Sequence, residues 1–373
     1  MSERSAARAS SGTPDPSRPT RTGPQHAGRP FDGAPRAGRD SEATLYTLES
    51  ETPIVARVTD HGASLVELEV PDRDGRLADV VLGFDSVDGY RSPQNPYLGA
   101  TIGRVANRIA YGRFSIGDQV YRLAVNEPPH HLHGGAARSF DKVRWETIAA
   151  SRGEVVFRYR SVDGEEGYPG ELEATAIYRL HGPALTIIYE ATVDRTSPVN
   201  LTNHSYFNLG GHASGDILEH ELAIDADRTT AVDAELLPTG LEAPVDGTAL
   251  DLRRARPLGA GVRELASEPT LGYDHNYVLR SSTSGVRDVA MLRHLPSGRT
   301  MVLATDQPSL QCYSGNRLED LEGKRGARYG PHGGLCLEPQ YAPDSVNQPR
   351  FPSILLEPGR TYRHVSRYHF SVS

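Results

Sequence analysis

The sequence predicts an all-β fold, a large antiparallel β-sandwich with few short helices. Short segments alternate apolar and polar residues with the period of half-buried strands, as in residues 63–70 (ASLVELEV) and 185–191 (LTIIYEA). Sustained helical periodicity is hard to find along the sequence. Because helices do not alternate with strands, the pattern argues against a Rossmann or barrel α/β fold and favours packed antiparallel sheets.

Further strand-like segments follow at short intervals, separated by Gly, Pro, Asp and Asn turn signals. In order, they are residues 155–160, 172–180, 221–225, 289–295, 300–305 and 361–372. The sequence has no obvious linker inside residues 44–373. We therefore expect these residues to form a single domain, which is large for one domain but within the reach of two wide sheets.

The N-terminal residues 1–43 have a different composition. They are rich in Ser, Arg, Pro, Gly and Ala, with Phe31 as the only aromatic residue. Such a segment cannot bury enough apolar surface to offset the entropy lost on ordering. We therefore expect a disordered tail whose removal does not affect the chemistry.

Composition excludes several classes of partner. Lys and Arg total 40 against 48 acidic residues, a net charge of −8 that gives no broad attraction to nucleic acid or anionic lipid. No apolar run is long enough to span a bilayer, and the N-terminus lacks the apolar stretch of a secretory signal. The two cysteines, Cys312 and Cys336, fit a reducing cytoplasm. We expect a cytoplasmic protein that binds a small neutral molecule, with no nucleic acid or membrane partner.

The first candidate site segment is residues 200–209 (NLTNHSYFNL), where hydrogen-bonding side chains crowd a stretch whose neighbours are typical of buried strands. Buried polar groups need partners, so such crowding is costly without a purpose. On an extended chain Thr202, His204, Tyr206 and Asn208 would point to one face and line the floor of a polar cleft. The alternative for His204 is an imidazole that is satisfied within the core.

The second candidate is residues 335–340 (LCLEPQ), in which the carboxylate of Glu338 ends an apolar run. Half-shielded from water at a strand end, this carboxyl group would have its pKa raised toward neutrality and would serve as a base. The alternative is an exposed edge residue paired with an arginine.

The third candidate joins residues 105–109 (VANRI) to the histidine cluster at residues 130–135 (HHLHGG). His131 and His133 project together if extended, as in a cupin metal site. Such a site also needs a carboxylate and a further histidine at suitable spacing, and none stands nearby in the sequence. Because the same residue types bind sugar hydroxyls, we predict a site without metal.

Residues 272–277 (GYDHNY) and 310–316 (LQCYSGN) each combine an aromatic side chain with acid or amide groups. Apolar sugar faces pack on aromatic rings, and sugar hydroxyls need paired donors and acceptors, so this mixture suits a carbohydrate. Turn chemistry explains the individual Asp and Asn residues equally well.

Taken in chain order, five motifs from these segments resemble the aldose 1-epimerase family across residues 44–373. One segment could arise by chance, but five together should not. The motifs that carry the resemblance are residues 103–109 (GRVANRI), 132–135 (LHGG), 202–204 (TNH), 274–276 (DHN) and 337–340 (LEPQ). The sequence departs from many relatives in the proline that follows Glu338.

The resemblance implies a supersandwich with a shallow, open sugar site, and an isomerase that interconverts the α and β anomers of free aldohexoses such as galactose and glucose. It implies Glu338 as the base and His204 as the acid. It also implies that the sugar hydroxyls are held by Asn107, Arg108, His133, Asp274 and Gln311. Opening a cyclic hemiacetal removes one proton from the C1 hydroxyl and gives one to the ring oxygen, so we expect no cofactor and no metal.

Rival functions remain open from the sequence. A non-catalytic carbohydrate-binding β-sandwich would present the same aromatic and amide residues without needing an acid and a base together. A cupin-type sugar isomerase would contain metal and lose its activity to a chelator. A hexose 6-phosphate 1-epimerase would keep the catalytic pair and add arginines at the C6 end of the sugar. The oligomeric state is expected to be a monomer or a homodimer.

Overall fold

The alternating segments of the sequence become the strands of three antiparallel sheets. The computed structural model describes residues 28–32, 43–280 and 285–373. In chain order, the first strands are β1 (Arg29–Phe31), β2 (Ala43–Glu49), β3 (Val55–Thr59), β4 (Ser64–Pro71), β5 (Leu77–Asp79), β6 (Thr101–Ile102), β7 (Arg108–Ile109), β8 (Arg113–Ile116), β9 (Gln119–Arg122), β10 (His131–Leu132), β11 (Glu146–Ala150), β12 (Glu154–Ser161), β13 (Leu172–His181), β14 (Ala184–Val193) and β15 (Ser197–Pro198).

The second half of the chain continues the pattern. Its strands are β16 (Thr202–Asn203), β17 (Tyr206–Phe207), β18 (Glu221–Ile224), β19 (Ala226–Val232), β20 (Pro238–Pro244), β21 (Arg256–Pro257), β22 (Asp274–Leu279), β23 (Arg287–His294), β24 (Arg299–Thr305), β25 (Ser309–Tyr313), β26 (Leu321–Glu322), β27 (Arg328–Tyr329), β28 (Leu335–Gln340), β29 (Leu355–Leu356) and β30 (Tyr362–Val372). All pairings between these strands are antiparallel.

The helices are few and short. The α-helices of the described residues are α1 (Val87–Arg91) and α2 (Leu258–Glu264). Single 3-10 turns lie at Ala110–Gly112, Phe140–Lys142, Glu165–Gly167 and Lys324–Gly326. In the part of the chain that the structure describes, no helix has the length and apolar character needed to cross a membrane.

The strands assemble into three main sheets. β1 to β5 form a five-stranded sheet in chain order. A nine-stranded sheet has the order β11-β12-β13-β14-β30-β24-β23-β18-β21, and a six-stranded sheet has the order β17-β28-β25-β22-β19-β20. We call the six-stranded sheet the site sheet because it carries the candidate functional residues described below.

The predicted fold class is confirmed, and each alternating segment named above lies on a strand. β13 shows the expected alternation of buried and more exposed residues along its length. β4 differs, because it is buried on both faces for most of its length. Leu65 and Leu68 pack into the main hydrophobic core, whereas Val66 packs into a second cluster on the other face.

One hydrophobic core draws on all three sheets. It includes Leu65 of β4, Tyr178 of β13 and Leu310 of β25, all fully buried. The hydroxyl of Tyr178 also donates a hydrogen bond to the carbonyl oxygen of Ala63, 2.6 Å away, and so ties the nine-stranded sheet to the start of β4. Because this core uses residues from Tyr46 to Phe370, we propose that residues 44–373 fold as one domain.

Part of the predicted N-terminal tail is ordered. Residues 29–31 form β1, which pairs with β2 at the edge of the five-stranded sheet. Phe31 is 5% exposed and its ring packs 5.7 Å from that of Tyr90, so this single aromatic residue supplies an apolar contact that composition did not reveal. The rest of the predicted tail, residues 1–27 and 33–42, lies outside the described residues.

Candidate active site

The register of the site sheet brings polar residues from distant segments together. Glu338 on β28 lies opposite Gln311 on β25, and Gln311 lies opposite Asn276 on β22. Directly opposed residues share a face of the sheet, as do residues two positions apart on one strand. Glu338, Gln311 and Asp274 therefore face the same side.

Glu338 is buried, not half-shielded, with only 1% of its surface exposed. This burial rules out the exposed edge residue that was the alternative for it. Its Oε1 lies 3.8 Å from Nε2 of His204, and its Oε2 has no hydrogen-bond partner among the described residues. Burial, with a smaller contribution from Asp274, raises the pKa of the Glu338 carboxyl well above its ordinary value. One carboxyl oxygen is thus free to meet a ligand.

His204 lies in the short break between β16 and β17, and its backbone is fixed on both sides. Its N–H donates to the carbonyl oxygen of Ala100 at 2.9 Å, and its own carbonyl oxygen accepts from the N–H of Gly99 at 3.0 Å. Burial lowers the pKa of the imidazole to about 4, so the ring is neutral at neutral pH. Burial shifts the Glu338 carboxyl group toward its protonated form at the same time, so burial favours the uncharged form of both groups.

The prediction that residues 202–208 line one polar face is wrong for two of its four members. The strand is interrupted at His204 and Ser205, so the alternation does not run through the segment. His204 and Tyr206 line the cavity. Thr202 instead donates to the carbonyl oxygen of Pro339 at 2.8 Å, and Asn208 donates to the carbonyl oxygens of Gly215 and Gly333. These two side chains satisfy buried backbone groups.

Asn107 and His133 meet where β7 pairs with β10. Both have a positive φ, 64° and 50°, in the left-handed region that few non-glycine residues adopt. The Asn107 N–H donates to Nδ1 of His133 at 3.2 Å, and the His133 N–H donates to the carbonyl oxygen of Asn107 at 3.1 Å. Because Nδ1 of His133 accepts, the ring hydrogen resides on Nε2, where it can be donated to a ligand.

Arg108 is held by Glu127 through two bonds. Its Nε donates to one carboxylate oxygen at 2.7 Å and its terminal nitrogen donates to the other at 2.8 Å. Such a bidentate pair fixes the plane of the guanidinium. Glu127 also lines the cavity, and the sequence motifs did not single it out.

The resemblance implies that Arg108 holds a sugar hydroxyl, so we expect Glu127→Gln to raise the KM for sugar by up to about fivefold. The pair is partly exposed, and such pairs contribute at most about 1 kcal/mol. The turnover number should change less, since Arg108 would still be present. Glu146→Gln is the matched control, because it removes an exposed ion pair between Glu146 of β11 and Arg158 of β12. It should leave both constants unchanged. Initial-rate polarimetry measures both constants, and an unchanged KM in Glu127→Gln would contradict the positioning of Arg108.

Asp274 and Gln311 form the acceptor end of the site. Gln311 donates from Nε2 to Oδ1 of Asp274 at 2.7 Å, while its Oε1 has no partner among the described residues. Burial raises the pKa of Asp274, and the positive charge of Arg108 opposes this increase. Both side chains therefore present acceptor oxygens to the cavity.

All seven residues to which the resemblance assigns a role in the site line one cavity of about 170 Å³. The cavity is lined by Pro96, Tyr97, Asn107, Arg108, Glu127, Leu132, His133, His204, Tyr206, Asp274, Gln311, Tyr313, Arg317 and Glu338. Tyr97 was not predicted as a site residue from the sequence. In the structure its ring lies 4.7 Å from that of His133 and 5.8 Å from that of His204. An aromatic residue after a proline in a loop was the available signal.

The histidine cluster does not assemble as a metal site. His131 has both ring nitrogens engaged, Nδ1 with the carbonyl oxygen of Ala124 and Nε2 with the hydroxyl of Tyr168, each at 2.7 Å. It does not line the cavity beside His133. Within residues 28–32, 43–280 and 285–373, no group of three His, Cys, Asp or Glu side chains is arranged to hold a metal ion.

Comparisons with known proteins agree on one family. The aldose 1-epimerase family matches residues 44–369. The chain is 50% identical to galactose mutarotase of Mus musculus over 313 residues, which cover 84% of this chain and 90% of the relative. It is 36% identical to aldose 1-epimerase of Escherichia coli K12 over 330 residues, 87% of this chain and 94% of the relative.

Solved structures agree with the sequence relatives. A crystal structure of an aldose epimerase homologue from C. elegans superposes with a TM-score of 0.82 at 30% identity, and it covers 88% of this chain and 99% of that one. The family match and these identities show that this chain belongs to the aldose 1-epimerase family.

Proposed function

We propose that Glu338 is the base and His204 the acid in the aldose 1-epimerase activity of this isomerase. The observation that carries the proposal is that the two side chains lie next to each other at the cavity. The carboxyl group and the imidazole are both buried, lie 3.8 Å apart, and face a cavity lined by hydrogen-bonding side chains. One group can then act on the C1 hydroxyl while the other acts on the adjacent ring oxygen.

The proton transfers balance without a further reactant. The Glu338 carboxylate takes the proton of the C1 hydroxyl, the bond between C1 and the ring oxygen breaks, and the ring oxygen takes the proton from Nε2 of His204. The resulting aldehyde turns about its C1–C2 bond and closes again from the other face. On closure Glu338 returns its proton to O1 and His204 recovers one from the C5 hydroxyl, so acid and base exchange roles.

The uncharged forms that burial favours for Glu338 and His204 suit this cycle. Protonated Glu338 with neutral His204 carries the same single proton as the carboxylate with the imidazolium. The first arrangement is favoured by burial and matches the open-chain stage of the reaction. The second matches the closed-ring stage, so the pair needs no proton from solvent in either direction.

We expect the pH dependence of kcat/KM, which reports the acid and base of the free enzyme, to be a broad bell. A pair with two protons has no base, and a pair with none has no acid. Since burial lowers the pKa of His204 from 6.5 to about 4, activity should be retained below pH 6.5 and lost only near pH 4. On the alkaline side it should persist until Glu338 loses its proton, well above the ordinary glutamate pKa.

Polarimetry across pH, with circular dichroism at each point to detect unfolding, measures this profile. An acid limb centred near 6.5 in folded enzyme would show that His204 is not held neutral.

The remaining polar residues of the cavity are proposed to hold the sugar hydroxyls. Arg108 and Nε2 of His133 supply donors, Asp274 and Oε1 of Gln311 supply acceptors, and Asn107 supplies an amide. Holding hydroxyls away from C1 orients the ring while leaving the C1–C2 bond free to rotate. The volume of about 170 Å³ is below the roughly 300–1,000 Å³ of ordinary ligand pockets, which suits a single sugar ring.

We propose free aldohexoses as substrates, with galactose and glucose first, because galactose mutarotases are among the relatives. The test is polarimetry of freshly dissolved pure anomers of galactose, glucose, arabinose, xylose and glucose 6-phosphate. The proposal predicts the highest kcat/KM for galactose or glucose. A higher kcat/KM for the phosphate or a pentose would contradict it.

We also propose that the enzyme works in the cytoplasm, as a monomer or a homodimer. Cys312 and Cys336 are both free thiols, which suits a reducing compartment. Analytical ultracentrifugation at micromolar concentration would contradict the proposed oligomeric state if it showed an assembly larger than a dimer.

A further inference from the structure

The thiol of Cys336 lies beside the imidazole of His204. Cys336 precedes Glu338 by two residues on β28, so both side chains project from the same face of the strand. Its Sγ lies 3.5 Å from Nδ1 of His204, and the residue is fully buried. Nε2, the other ring nitrogen, faces Glu338. The imidazole is therefore placed between a sulfur atom and the catalytic carboxyl group.

The sulfur is uncharged at neutral pH. Burial raises the pKa of the Cys336 thiol well above its ordinary value, and the nearby Glu338 raises it further. A thiol is a weak hydrogen-bond donor and its sulfur a weak acceptor. The contact with Nδ1 is thus a hydrogen bond between neutral groups, and its direction depends on which ring nitrogen carries the hydrogen.

The proposed mechanism places the ring hydrogen of neutral His204 on Nδ1. Nε2 exchanges a proton in the proposed mechanism, so the neutral ring must keep Nε2 unprotonated and carry its one hydrogen on Nδ1.

We propose that Cys336 is a positioning residue, whose sulfur accepts a hydrogen bond from the Nδ1–H of His204 and so keeps Nε2 as the nitrogen that exchanges a proton with the sugar ring oxygen. This inference rests on the acid role of His204 proposed above. Cys336 makes no contact with the sugar in this account, and acts through the imidazole alone.

The weakness of the sulfur as an acceptor has a chemical consequence. A carboxylate at this position would stabilise the imidazolium and raise its pKa, as it does in many histidine sites. A thiol stabilises the imidazolium much less, so protonated His204 remains a strong acid. A strong acid is what protonation of a weakly basic ring oxygen requires.

Nitrogen-15 NMR of histidine-labelled wild-type enzyme tests the hydrogen position without any mutation at Cys336. The chain has 14 histidines, and the signals missing from His204→Asn identify those of residue 204. We expect Nδ1 to show the shift of a protonated ring nitrogen and Nε2 that of an unprotonated one at pH 7. A predominant Nε2–H form would overturn the proposal, whether or not any variant folds.

Kinetics of three variants test the consequence. We expect Cys336→Ala to lower kcat by about three- to tenfold, with KM within about twofold of wild type, because a hydrogen bond between neutral groups commonly contributes about that much. Its Nδ1–H fraction should fall in the NMR spectrum. Cys336→Ser restores an acceptor and should recover most of the loss.

Cys312→Ala is the matched control. Cys312, on β25, is equally buried. It lies opposite Leu337 of β28, so its side chain points to the other face of the sheet. Its truncation should cost similar stability and leave kcat unchanged. Wild-type kcat in Cys336→Ala, or an equal loss in Cys312→Ala, would overturn the proposal. Full activity in the Glu338 or His204 variants would instead overturn the proposed function, and the NMR result would still report the ring hydrogen.

Discussion

Replacing Glu338 with glutamine is expected to lower kcat for mutarotation by about 10²–10⁴-fold, the range that a positioned proton-transfer group contributes. The amide keeps the size of the side chain but cannot take the proton of the C1 hydroxyl. Polarimetry of freshly dissolved α-galactose measures the effect after the spontaneous rate in buffer is subtracted.

Stability should change little in this variant. Oε2 of Glu338 has no partner among the described residues and Oε1 is 3.8 Å from Nε2 of His204, so the substitution breaks no short hydrogen bond. Glu165→Gln is the matched control, because Glu165 is also buried but bonds to Tyr159 and Ser161 outside the cavity. That control should lose stability and keep kcat. Near-normal activity in folded Glu338→Gln would remove the carboxylate from the mechanism.

Replacing His204 with asparagine is the second large effect that we expect. The amide retains a polar group in the cavity but neither gives nor takes a proton near neutral pH, so kcat should fall by about 10²–10⁴-fold. KM should change much less, because Arg108, His133 and Asp274, which we propose to hold the hydroxyls, are unchanged. A loss confined to KM would show that His204 binds the sugar without transferring a proton.

Variants of two further histidines distinguish acid catalysis by His204 from sugar binding and from stability. His133→Asn should raise KM more than it lowers kcat, since Nε2 of His133 is placed to donate to a hydroxyl. His131→Asn should lower stability alone, because both nitrogens of His131 bond to Ala124 and Tyr168 outside the cavity. An equal loss of kcat in all three variants would indicate a general disturbance of this region instead of acid catalysis by His204.

The fold was predictable because its strands show the period of half-buried segments. Polar residues such as Glu338 and Gln311 stand out within those segments, but their proposed roles came from the resemblance to the family and not from the period. Their adjacency was not predictable from the pattern. It arises from the pairing of β28 with β25, and strand order depends on which sheets pack together.

The residues that sequence reasoning missed reach the site through contacts between segments that are distant in the sequence. Cys336 was considered only for its redox chemistry, yet it meets His204 because β17 pairs with β28. Tyr97 and Glu127 come from loops, whose positions have no periodic signature. The strand face predicted through Thr202 and Asn208 failed because the extended chain is interrupted at His204 and Ser205.

The most direct test of the central claim is the optical rotation of freshly dissolved α-galactose with increasing amounts of wild-type and Glu338→Gln enzyme. The account predicts that wild-type enzyme brings the rotation to the same final value as buffer, at a rate proportional to its concentration, while the folded variant hardly exceeds the spontaneous rate. A wild-type rate equal to that in buffer, or equal rates for the two proteins, would contradict it.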